Sequence, residues 1–148
     1  MSAGASEPAI TVLLVEDSLD DVLLTRRAFR KAGIEGVLHI CADGDAALEY
    51  LSDRDAIAQP RPSLVLLDWK LPKKDGLEVL SWIRKQARFQ DLPVVVVSAS
   101  GQQDEIQRAH TAGANAYIQK PLHVTGLREV IETLGLSGLK ALLEASGK

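Results

Sequence analysis

Only one cysteine, Cys41, stands among the 148 residues, so no internal disulfide can form, in keeping with a reducing compartment. No apolar run comes near the roughly 20 residues that a membrane-spanning helix needs, so no membrane partner is expected. Long basic stretches and aromatic-basic interleaving are also missing, and the formal net charge is −3. A general attraction to nucleic acid is thereby excluded, and direct DNA binding is not expected. The opening MSAGASEPA has neither a basic region nor an apolar core, so it does not read as a secretory signal. Residues 1–9 read instead as a disordered lead-in, and the expected location is the cytoplasm.

What is present describes one ordinary domain. Hydrophobic residues make up 46% and charged residues 25% of the chain, and its length suits a single core. Short runs rich in Val, Ile and Leu alternate with segments of helical period, the signature of β-α units around a parallel sheet. Five strands are predicted, over 10–15, 37–41, 63–68, 93–98 and 116–119. Several are apolar on both faces, as a sheet covered by helices on both sides requires. Helices are predicted over about 19–32, 44–53, 76–88, 102–112 and 122–134. The first should turn Leu19, Val22, Phe29 and Ala32 toward the core and stop at Gly33. The fifth should bury Leu127, Val130, Ile131 and Leu134, leaving Arg128, Glu129 and Glu132 to solvent. The domain thus spans 10–134. Beyond it, residues 135–148 carry Leu136, Leu139, Leu142 and Leu143 at helical spacing, which predicts an extra C-terminal helix that must cover apolar surface.

The stretch LVLLDWKLPKKDG, residues 64–76, ends a buried strand on an acid, Asp68. Desolvating an unpaired carboxylate costs several kcal/mol or more, so Asp68 needs a partner charge or an open strand end. In an open parallel sheet, ligands bind outside the carboxyl ends of the strands, where strand order reverses. There strand one ends in Glu16 and Asp17, strand three in Asp68, strand four in Ser98, and strand five leads into Lys120-Pro121. Three carboxylates at one edge repel unless a cation intervenes, and a hard divalent ion such as Mg²⁺ suits them. Each residue alone has a bland explanation, since an acid after a strand can cap a helix, Ser98 could cap the next one, and Lys120 could be a surface lysine. Their arrival together at the ends of four strands is what singles them out.

From Thr11 to Leu134 the sequence resembles the receiver domain of two-component response regulators, carried by LLVEDS, LVLLDWKLPKKDG, VVVVSAS and AYIQKP in that family's order and spacing. EDSLDDVLLTRRAF with LPKKDG further resembles stand-alone regulators that partner phytochrome-type histidine kinases. The resemblance implies a flavodoxin-like fold, a doubly wound five-stranded parallel sheet of strand order 2-1-3-4-5. It implies a phosphoacceptor signalling protein rather than an enzyme acting on other substrates. Asp68 would take a phosphoryl group from the phosphohistidine of a sensor histidine kinase, of the bacteriophytochrome type on the narrower resemblance. Mg²⁺ would be held by Asp17, Asp68 and the backbone carbonyl of Lys70, with Glu16 contributing directly or through water. Lys120 would pair with a phosphoryl oxygen, aimed by a peptide bond to Pro121 whose isomer sequence leaves open. Ser98 would hydrogen-bond the phosphoryl group while Tyr117 changes rotamer behind it.

Two departures stand out. Ser98 replaces the commoner Thr of that family, which keeps the hydroxyl, and Lys70 puts a cation near the phosphoryl edge, where it either pairs with oxygen or faces solvent. Tyr117 also reads as an ordinary half-buried strand residue, and Trp69 and Trp82 as packing or partner contacts. His39, His110 and His123 are not spaced as a metal site. A phosphatase of the haloacid dehalogenase class also places an aspartate after an apolar strand, but it needs a second Asp two positions later, where this chain has Lys70. The intact set of Asp17, Asp68, Ser98 and Lys120 argues against a receiver that has lost phosphorylation. With no output domain expected after the receiver, signalling should pass by contact with another protein. Residues 135–148 should either fold back on their own domain or, the favoured reading, carry a homodimer contact together with the fifth helix.

Overall fold

A strand that is apolar on both faces is stable only between two layers of helix. Leu64–Asp68 and Val94–Ser98, buried along their whole length, occupy that position here. The computed structural model describes residues 10–34, 36–52 and 61–134. Its strands are β1 (Ile10–Val15), β2 (Gly36–Cys41), β3 (Leu64–Asp68), β4 (Val94–Ser98) and β5 (Ala116–Gln119). The helices α1 (Leu19–Lys31), α2 (Gly44–Ser52), α3 (Gly76–Lys85), α4 (Gln103–Thr111) and α5 (Val124–Leu134) fall between and after them. The sheet is parallel throughout, in the order β2-β1-β3-β4-β5. This is the doubly wound, flavodoxin-like sheet that the resemblance implies. Among the described residues, no helix is long and apolar enough to cross a membrane. The predicted lead-in and C-terminal helix lie outside the described residues.

Alternation along the central strands feeds two cores. Leu13, Val15, Val65 and Leu67 pack under α2, α3 and α4 with Leu51, Leu80 and Ala109. Val12, Leu14, Leu64 and Leu66 pack under α1 and α5 with Phe29, Leu127 and Ile131. Each such side chain contributes about 1.5–3 kcal/mol on burial, so the sheet is held from both faces and its edge is a rigid platform.

Three details of the prediction are corrected. Leu19 does not join the core side of α1: it is 72% exposed, because the helix begins with it, while Val22, Phe29 and Ala32 do turn inward. The third helix ends at Lys85 rather than near 88. Gln86 adopts extended backbone there, and a separate 3-10 turn covers Ala87–Phe89. Arg128 on α5 is half-buried rather than solvent-facing, and its Nε is shielded from solvent, whereas Glu129 and Glu132 are exposed as predicted.

Candidate functional site

Parallel pairing brings four strand ends to one edge. Asp68 stands opposite Val97 and Ser98 opposite Gln119. The backbone N–H of Lys120 donates to the Ser98 carbonyl at 2.7 Å, and that of Glu16 to the Cys41 carbonyl at 2.9 Å. The residues that follow each strand are thereby carried to the same place. The capping explanations do not apply, because other residues cap the helices. Ser18 caps α1, accepting from the Asp21 N–H at 3.3 Å, and Asp75 caps α3 in a reciprocal box with Glu78. Gln102, not Ser98, precedes α4.

Glu16 and Asp68 are buried and Asp17 is exposed, yet one carboxylate oxygen from each lies within 4.8 Å of the others. Lys120 reaches into this group from the end of β5. Its ammonium lies 2.9 Å from Glu16 Oε1, 2.8 Å from Asp21 Oδ2 and 3.3 Å from Asp68 Oδ2. The other oxygen of Asp68 accepts from the Lys70 backbone N–H at 3.2 Å, while the Lys70 side chain is exposed to solvent. The Lys120-Pro121 peptide bond is cis. Burial pushes the Glu16 carboxyl up to about 7; the Lys120 hydrogen bond opposes this and the Asp68 charge reinforces it. Burial acts to lower the Lys120 pKa, but hydrogen bonds to Asp21 and Glu16 and the Asp68 charge outweigh it, so the ammonium is held protonated above its ordinary range. An edge with an all-oxygen donor set and more negative than positive charge fits a hard divalent cation.

Ser98 and Tyr117 form a second group. The Ser98 hydroxyl, fully buried, donates to Glu105 Oε2 at 2.7 Å and accepts from the Ser100 N–H at 3.3 Å. The Tyr117 hydroxyl bonds the same Glu105 oxygen and the Ser100 carbonyl. Burial, then the bond to Glu105, raises the Tyr117 pKa. The sequence reading missed Asp21 and Glu105. Both left a trace in the spacing: Asp21 lies in the first turn of α1, four residues after Asp17, and Glu105 precedes the buried Ala109 by one turn. Neither His39, packed at a tilt against Tyr50, nor His110, bonded to the Ala114 carbonyl, joins these groups. Trp69 is buried in the core, and Trp82 packs on Phe89.

A parallel sheet of this order with acids and a lysine at its carboxyl edge defines a receiver. The response regulator receiver domain model matches residues 12–132, and the chain belongs to that family of signalling proteins. It is 40% identical over 130 residues to the probable methanogenesis regulatory protein FilR2 of Methanothrix harundinacea, covering 88% of this chain and 83% of that one. Response regulator Rcp1 of Synechocystis is 35% identical over 128 residues, covering 86% and 87%. The Mn²⁺-bound crystal structure of Rcp1 superposes with a TM-score of 0.72, covering 86% of this chain and 95% of that one. The bacteriophytochrome response regulator AtBRR superposes with a TM-score of 0.77 at 34% identity, covering 88% and 95%. The chain is thus a receiver-domain response regulator similar to those of phytochrome systems.

Proposed function

We propose that this regulator accepts a phosphoryl group on Asp68 from the phosphohistidine of a sensor histidine kinase and thereby changes its contacts with another protein. The observation that carries this reading is the convergence of Glu16, Asp17, Asp68 and Lys120 at the carboxyl edge of the sheet. A carboxylate has no hydroxyl proton to be removed and needs no dedicated base, so a carboxylate oxygen of Asp68 attacks phosphorus as the bond to the histidine nitrogen breaks. Rigid support from β3 fixes the direction of attack, and the open edge admits a large donor. Mg²⁺ would be held by Glu16, Asp17, Asp68 and the Lys70 backbone carbonyl, and when bound it supplies positive charge to the phosphoryl oxygens. Lys120 follows the incoming anion, exchanging its contact with Asp68 for one with a phosphoryl oxygen. Ser98 donates its hydroxyl proton to another oxygen, and Tyr117 repacks behind it.

The similarity to bacteriophytochrome regulators supports a phytochrome-type kinase as donor. The leucine spacing over 136–143 supports pairing of two copies through residues 135–148, and the single cysteine supports a cytoplasmic location. The test is phosphorylation with acetyl phosphate and Mg²⁺, followed by transfer from candidate histidine kinases, with Asp68→Asn as control. Labelling of the wild type that disappears in Asp68→Asn supports the assignment. Persistent labelling of that variant at wild-type stoichiometry would refute it.

A further inference from the structure

Glu105 has no part in the phosphotransfer chemistry, yet it is 7% exposed and both expected switch residues are tied to one of its oxygens. It sits in the first turn of α4, where the helix N-terminus favours an acid. Among the described residues it pairs with no cation. Its side chain is held by the Ser98 and Tyr117 hydroxyls, and a buried carboxylate is costly to leave without donors.

Proton counting gives this arrangement its consequence. A serine hydroxyl has one proton. In this structure Ser98 commits it to Glu105, so the same hydroxyl cannot also donate to an oxygen of a phosphoryl group on Asp68. Tyr117 is limited in the same way, its single proton shared between Glu105 and the Ser100 carbonyl. We infer that Glu105 is a latch: it holds the Ser98 and Tyr117 hydroxyls to the first turn of α4, and modification of Asp68 must break the Ser98–Glu105 bond and so loosen that turn. The inference rests on the reading of Asp68 as phosphoacceptor and adds a positioning residue that opposes the active arrangement. Once Ser98 turns away, the Glu105 carboxylate has lost a donor in a buried place, and it recovers solvation only if the start of α4 shifts. A charge change at β3 is thereby converted into movement of a helix on the other side of β4.

A latch and a merely structural acid predict opposite signs. Beryllofluoride, with Mg²⁺, is the probe for the phosphorylated state. Glu105→Gln keeps the shape but weakens the charge-assisted bond, and Glu105→Leu removes it. If the latch opposes activation, beryllofluoride binds roughly tenfold more tightly to Glu105→Gln than to wild type, and at least as tightly to Glu105→Leu. Wild-type or weaker affinity in a folded Glu105→Gln protein overturns the latch. The second measurement does not involve Asp68. Amide hydrogen exchange over residues 103–106, without beryllofluoride, should quicken in Glu105→Gln, and this effect should largely vanish in a Ser98→Ala background if it acts through Ser98. An undiminished effect in that background overturns the tie. Failure of the wild type itself to bind beryllofluoride counts against the phosphoacceptor reading, whereas unchanged exchange in Glu105→Gln counts against the latch alone.

Discussion

Lys120 Nζ lies 3.3 Å from Asp68 Oδ2, joining the end of β5 to the end of β3 across the intervening strand β4. The same ammonium holds Glu16 at 2.9 Å, so one cation offsets two buried carboxylates that otherwise repel. Replacing it removes the compensation and leaves the acids in place. Lys120→Met should therefore destabilise the fold by about 2 kcal/mol, less than a fully buried pair would lose because Asp21 and the lysine retain some access to water. Millimolar Mg²⁺ should restore more stability to the variant than it adds to wild type. Urea unfolding with and without Mg²⁺ measures both effects. A loss below about 0.5 kcal/mol would mean that the lysine is not what holds the acids together.

Asp17 separates binding from folding. It is exposed, while Glu16 and Asp68 are buried, so it contributes charge to the edge without contributing to the core. Asp17→Ala should leave stability within about 0.5 kcal/mol of wild type and weaken Mg²⁺ binding at least tenfold. Titration of Mg²⁺ followed by intrinsic tryptophan fluorescence or calorimetry checks the second part. An unchanged midpoint would remove Asp17 from the cation site.

The edge was legible in the sequence because strand ends are set by where apolar runs stop, and Glu16, Asp68 and Ser98 each stop one. Parallel pairing then leaves no freedom about which ends meet. Helix interiors were harder. Apolar spacing put Leu19 on the inward side of α1 but could not tell that this first residue of the helix stays exposed while Val22, three residues on, is buried. Residue type misled in the opposite direction at Glu105, whose acidic side chain suggests solvent, although Ala109 one turn later marks the inward face. The burial of Glu105 depends on donors from β4 and β5, residues that only the assembled fold brings near. Asp21 was hidden similarly, since its partner Lys120 reaches it from the opposite end of the chain.

Gly76 gives a steric prediction for the acceptor. Its N–H donates to the Trp69 carbonyl at 3.0 Å, and a Cβ placed on it would lie 2.7 Å from the Asp68 carbonyl oxygen and 2.8 Å from Trp69 Cα. These are backbone atoms of the strand end itself and cannot swing aside. Gly76→Ala should cost roughly 1–3 kcal/mol and displace Asp68, slowing labelling by acetyl phosphate by more than the stability loss explains. Wild-type labelling in a protein with wild-type stability would show that the loop yields without disturbing β3. The parallel variant Gly44→Ala would drive its Cβ into the Lys74 carbonyl oxygen, so it strains the same 70–76 loop from its far side.

The last prediction concerns Cys41, at the end of β2 and buried. Burial, aided by the charges of Asp43 and Glu49, pushes its thiol up to about 11 from an ordinary value of about 9. Two consequences follow from that shift. At neutral pH the thiol is protonated and shielded, so alkylation by iodoacetamide should be limited by opening of the fold and should accelerate sharply in denaturant. The second concerns stability. Between about pH 9 and about pH 11 the unfolded chain gives up the thiol proton while the folded chain keeps it, so the folded state binds more protons and stability falls as pH rises. The contribution is fully present below the unfolded value and amounts to on the order of 2–3 kcal/mol by the upper end of the window. Lysines and tyrosines titrate in the same range, so the measurement is a difference. Urea unfolding at about pH 7.5 and about pH 10.5, for wild type and Cys41→Ala, should show the wild type losing about 2 kcal/mol more than the variant over that interval. Equal losses in the two proteins would place the thiol in an environment no more hostile to its anion than water.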